Sequence, residues 1–145
     1  MGIDRRFVTR LLAEIEQHLI LLERAREQSR DDLFSDPLRA LGVQHALQIL
    51  IEAVIAVSHQ MIAGLNLPRP EKNLEAPATL LRVGVLSDAA LAQRLPAMVR
   101  FRNLLVHRYW EVKLDLVYDI LRSHLEDIRQ FSVQVSDYLE SNSEL

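Results

Sequence analysis

Cysteine is absent from this chain of 145 residues, which excludes disulfides, thiol nucleophiles and thiolate-held metals. Glycine and proline are scarce, at four and five, so few turns are available and long uninterrupted elements follow. There is no Gly-rich phosphate loop and no serine-nucleophile motif, so the chain is not expected to hydrolyse nucleotide itself. No His, Asp or Glu spacing fits a zinc or di-iron site and Glu-x-x-His does not occur, so neither metal nor cofactor is expected. No run approaches the roughly 18 apolar residues of a membrane span, and Asp4, Arg5 and Arg6 leave no room for an apolar leader core. The expected address is the cytoplasm, with no membrane partner.

One further absence is local. Between Asp88 and Glu111 there is no carboxylate, while Arg94, Arg100, Arg102 and Arg108 all fall in that window. The net charge of −3 argues against a general electrostatic grip on nucleic acid. Acids gather elsewhere, as Glu14/Glu16, Asp31/Asp32 and Glu126/Asp127.

What is present reads as one helical domain over residues 1–145, large enough for its own core. Phe7, Leu11, Leu12, Ile15, Leu19 and Leu22 recur at helical spacing and predict a helix from about Asp4 to Arg30. Ser35-Asp36-Pro37 supplies a cap and a first-turn proline for a second helix that ends near Gly64. That helix is apolar over a wide arc and belongs at the centre of the bundle. Prolines mark Leu67 to Pro77 as a loop, and a short helix from Ala78 to Val83 is closed by Gly84. Ser87 caps a segment from Asp88, Pro96 is expected to break it, and a restarted helix covers about Ala97 to Val106. A last long helix runs from near Lys113 to about Ser141. The fold class is all-α, an up-and-down bundle of four to five helices.

The densest chemistry lies in Arg102-Asn103-Leu104-Leu105-Val106-His107-Arg108-Tyr109-Trp110. An arginine can neutralise charge developing on a phosphate, and an imidazole can move a proton near neutral pH. On a helix Asn103 and His107 share a face. Arg102 and His107 stand about 140° apart on an ideal helix, so they converge only if the turn near His107 bends or unwinds. Blander roles are open to each residue. His107 can sit on the negative end of a helix dipole, Arg102 can pair with a neighbouring acid, and Tyr109 and Trp110 can plug a corner of the bundle. Of the other histidines, His18, His45 and His124 read as surface or packing residues. His59, in the central helix, is a candidate for a supporting role near a cleft.

The run Arg-Asn-x-x-x-His-x-Tyr at residues 102–109 resembles the signature of HEPN domains, in particular the HepT-type toxins of prokaryotic toxin–antitoxin pairs. The likeness extends through Phe101 to Val112, into Leu116-Val117-Tyr118-Asp119-Ile120-Leu121 and His124-Leu125-Glu126-Asp127-Ile128, and upstream into Ala46 to Ala53. Arg108 and Pro96 depart from the family pattern without touching the motif residues.

The resemblance implies metal-independent cleavage of RNA, with the ribose 2′-OH attacking the adjacent phosphate; DNA, lacking that hydroxyl, is not the expected substrate. It implies His107 as general base or acid, Arg102 as stabiliser of the charged transition state, and Asn103 as the residue that orients His107 or the phosphate. Arg100 and Arg108 are the expected RNA contacts. A homodimer would bring two Arg102/His107 pairs to one cleft. Tyr109 is implied as the AMP acceptor for an MNT-type nucleotidyltransferase antitoxin, added charge and bulk there silencing the toxin. Two alternatives stand beside this reading. One is a non-catalytic HEPN-like partner that presents substrate or nucleotide to a nucleotidyltransferase. The other is a purely structural oligomerisation bundle.

Overall fold

The two long helices of the N-terminal half each begin where a short polar side chain takes up a free backbone N–H. Asp4 accepts from Phe7 N and opens α1 (Arg5–Arg26), and Asp36 accepts from Leu38 N and opens α3 (Pro37–Gly64). The structure, a computed structural model, describes residues 2–142; the two ends of the expected 1–145 unit lie outside the described residues. Among the described residues every regular element is helical.

The first helix is shorter than its periodicity predicts. Ser29 caps Asp32 N and starts a separate five-residue helix, α2 (Arg30–Phe34), which turns Leu33 into the core. The Gln28 carbonyl freed at that break accepts from the Tyr118 hydroxyl at 2.9 Å. The Tyr118 contact is tertiary, so spacing in the sequence carried no sign of it.

The central helix α3 packs along α1 and also touches α4 and α5. It does carry the length and mean hydropathy of a membrane span, contrary to expectation. Its apolar arc is used internally: Leu47, Leu50, Ile51, Val57 and Met61 are wholly buried. Each such side chain contributes roughly 1.5–3 kcal/mol. At its end Gly64 admits the N-terminal segment, since a Cβ there would stand 2.6 Å from Ile3 Cα.

A 3₁₀ turn (Asn73–Glu75) leads into α4 (Ala76–Arg82). Gly84, at φ +85°, then reverses the chain so that Val85 and Leu86 N–H groups both donate to Leu80 O. The cap of the next helix is Asp88 itself, not Ser87: its carboxylate accepts from Ala90 N and Leu91 N.

That helix, α5 (Ala89–His107), runs straight through Pro96 instead of stopping there. A mid-helix proline costs about 3 kcal/mol. Burial of Leu91, Ala92, Leu95, Met98 and Val99 on both sides of it offsets that cost. After a 3₁₀ turn (Tyr109–Glu111), the last helical stretch divides into α6 (Leu114–Ser123) and α7 (Leu125–Ser141). Periodicity conceals the division because Leu121 and Leu125 stay in phase. Its cause is tertiary. Asp127 is buried and takes Arg94 Nε at 2.9 Å and His124 Nδ1 at 3.1 Å, holding the first turn of α7 against α5.

Arg129 ties α7 to α1 through Glu23 (2.8 Å) and Glu16 (3.0 Å). Its hydrogen bond to Glu23 raises the guanidinium pKa against the lowering effect of burial, and Glu16 adds to the rise. The result is the expected bundle: α1, α3, α5 and the α6–α7 pair around one core, with Phe131 at its centre.

Candidate active site

Two contacts set the direction of the helices that carry the site. Arg102 meets Glu52, and Val99 lines a small apolar hollow together with Ser58. As α5 advances toward His107, α3 therefore runs back toward its own start. That hollow has about 10 Å³ of free space, room for at most one water, and does not reach the motif.

Arg102 is half-buried. Its Nη1 donates to Asn103 Oδ1 at 3.1 Å, and its Nε lies 3.5 Å from Glu52 Oε1. The second contact is an ion pair without hydrogen-bond geometry, since Nε is buried and lacks a hydrogen-bond acceptor. Glu52 also accepts from Gln48 Nε2 at 3.1 Å. Arg102 faces an open cleft of about 480 Å³ whose walls include Glu52, His59, Gln60, Arg69 and Asn73. Across that cleft His59 Nε2 lies 2.8 Å from Asn73 Oδ1. With the carboxamide oxygen as acceptor, Nε2 carries the hydrogen of this bond.

His107 is the last residue of α5 and is exposed. The helix stays regular up to it, so the bend that would swing it onto Arg102 does not occur. On such a helix positions 102 and 107 lie about 140° apart around the axis and about 7.5 Å apart along it. Asn103 shares the His107 face and accepts from Arg102. Arg100 is exposed, and Arg108 is exposed and 3.7 Å from Glu111. Neither lines the Arg102 cleft.

Tyr109 and Trp110 do not plug a corner. They are 67% and 68% exposed, edge to face with ring centroids 5.3 Å apart. The Tyr109 hydroxyl has no partner among the described residues. Among the same residues no group of three or more His, Asp or Glu is placed to hold a metal.

Sequence reasoning named His59 but missed Glu52, Gln60, Arg69 and Asn73. A signal for part of this was available. Gln48, Glu52 and His59 follow one another in α3 at spacings of four and seven, which puts them on one stripe.

The chain matches the ribonuclease HepT-like family over residues 15–135. It is 35% identical over 85 residues to the mRNA nuclease HepT of Shewanella oneidensis, a stretch covering 59% of this chain and 63% of that relative. It is 25% identical over 125 residues to the tRNA nuclease HepT of Aphanizomenon flos-aquae, covering 86% and 84% of the two chains. In fold it is similar to YutE, a cytosolic protein of Bacillus subtilis, with a TM-score of 0.84 at 22% identity over 97% and 94% of the chains. A tri-AMPylated Shewanella oneidensis HEPN toxin in complex with MNT antitoxin gives a TM-score of 0.78 at 24% identity, over 90% and 96%.

Proposed function

The chain belongs to the ribonuclease HepT-like family, and from that premise we propose that it is the metal-independent endoribonuclease toxin of an MNT/HEPN toxin–antitoxin pair, acting in the cytoplasm. The observation that carries the reading is the placement of the motif: Arg102 lines an open cleft, and His107 stands solvent-open at the end of the same helix.

The reaction is a transesterification. An imidazole takes the 2′-OH proton as the O2′–P bond forms, the P–O5′ bond breaks, and O5′ leaves with a proton. The products are a 2′,3′-cyclic phosphate and a 5′-hydroxyl. His107 moves the proton, and Arg102 holds the charge that builds on the phosphorane oxygens. Asn103 orients both. Arg100 and Arg108 meet flanking phosphates.

On a regular helix one chain cannot close Arg102 and His107 on the same phosphate, and one imidazole serves poorly as base and acid in the same step. Both points support a homodimer in which each chain supplies its pair to a shared cleft.

Tyr109 is the switch. Its exposed phenol attacks the α-phosphate of ATP on an MNT-type nucleotidyltransferase, the Tyr–O–P bond forms and pyrophosphate leaves. The AMPylated HEPN toxin among the similar folds supports this assignment. Added negative charge beside the RNA path then repels substrate.

The test is incubation of the purified, AMP-free protein with total RNA in EDTA, beside His107→Ala. Cleavage by the parent alone, leaving cyclic phosphate ends, is expected. Tight RNA or transferase binding with no cleavage by the unmodified dimer would return the chain to the non-catalytic partner reading.

A further inference from the structure

The Arg102 cleft does not end at the motif. A second hollow of about 310 Å³, reaching Leu67 and Pro70, shares His59, Gln60 and Arg69 with it. The two are therefore one groove, leading from Arg102 along α3 and away from the His107 end of α5. We propose that this groove is a binding subsite for single-stranded RNA flanking the cleaved bond, with Arg69 as its phosphate contact; the proposal rests on the ribonuclease reading above.

Four observations carry it. Arg69 is exposed on the groove wall and makes no ion pair or side-chain hydrogen bond among the described residues. It stands between Pro68 and Pro70, whose fixed φ angles hold the backbone beneath it, so little chain entropy is lost when it binds. Arg102, at the other end, puts a second guanidinium on the wall of the same groove.

The fourth is the lining. Two guanidiniums face a single carboxylate, Glu52, which is already engaged by Gln48 and Arg102. Between them lie the His59–Asn73 pair and Gln60, whose ring and amides suit base edges and 2′-hydroxyls. The combined space lies in the range of small-ligand pockets. It follows the surface of α3 beside the 65–75 segment. Phe7 and Ile55 also line the Arg102 end and Leu67 the other, apolar surface against which base faces can pack.

The test separates this assignment from the ribonuclease reading. Binding is measured on His107→Ala, which holds RNA without turnover, using a fluorescent single-stranded oligonucleotide over a salt series. Adding Arg69→Ala should weaken binding roughly tenfold and reduce the salt slope by about one. Arg82→Ala, an exposed arginine on α4 outside the groove, should change neither. In the active chain Arg69→Ala should raise KM for long RNA by a larger factor than it lowers kcat. Arg69→Lys should recover most of the affinity.

If the parent cleaves RNA and Arg69→Ala leaves KM and slope alone, the groove assignment is wrong and the ribonuclease reading stands. If Arg69→Ala instead impairs dimerisation or transferase binding with RNA affinity intact, the groove belongs to a protein partner. If the AMP-free parent cleaves nothing, the ribonuclease reading falls. The binding series then still decides the groove.

Discussion

The seam where α7 meets α1 and α5 and the exposed end of α5 use similar residues for opposite purposes. At the seam the charges are matched: Arg129 holds Glu16 and Glu23, and Asp127 joins Arg94 to His124. Phe131 beside them is wholly buried. At the α5 end a histidine, a tyrosine and a tryptophan stand in solvent, with only a long Arg108–Glu111 pair nearby. Folding explains the first set and has no use for the second. Groups that the fold leaves unsatisfied are available for chemistry.

That contrast can be broken from either side. The largest effect is expected from His107→Ala, which should lower RNA cleavage by on the order of 10²–10⁴-fold with an unchanged thermal transition. A coincident loss of stability would place His107 with the structural residues. Phe131→Ala should do the reverse, costing about 3–5 kcal/mol of stability in urea titration, and a cost below 1 kcal/mol would show that the centre of the core has been misassigned.

Asp127→Ala should cost about 1–3 kcal/mol, because it strands His124 and leaves Glu126 as the one acid in the first turn of α7. Arg94 is half exposed and returns to water, so a larger loss would mean that the ion pair itself carries the seam. Gly84→Ala should cost about 1–2 kcal/mol, the penalty for a side chain at its φ of +85°, with no change in RNA binding. Smallest of all, Trp110→Ala should leave stability within about 0.5 kcal/mol; anything more would mean that the exposed pair packs after all.

The same contrast explains what was legible in the sequence. The all-α bundle, the central place of α3, its Asp36/Pro37 start and the family resemblance could all be read, because periodicity and capping are local. The breaks at Ser29 and His124 could not. Each is tied to a partner distant in sequence, Tyr118 in one case and Arg94 in the other. Pro96 misled for the complementary reason: a local breaking rule yielded to burial on both sides of it. At the candidate site the motif was legible as a string. Its separation into an Arg102 cleft and an open His107 end depended on what α3 presents opposite, above all Glu52, His59 and Asn73 across the 65–75 segment.

Trp110 is the only tryptophan in the chain and is 68% exposed at the residue after Tyr109. The molecule therefore carries a single indole, which can be excited apart from its three tyrosines, at the place where modification, substrate and partner are all proposed to meet. Any of them that covers the indole should shift its emission to shorter wavelength and shield it from a soluble quencher, so occupancy of this corner can be followed in the unlabelled protein, in real time and without a nuclease assay.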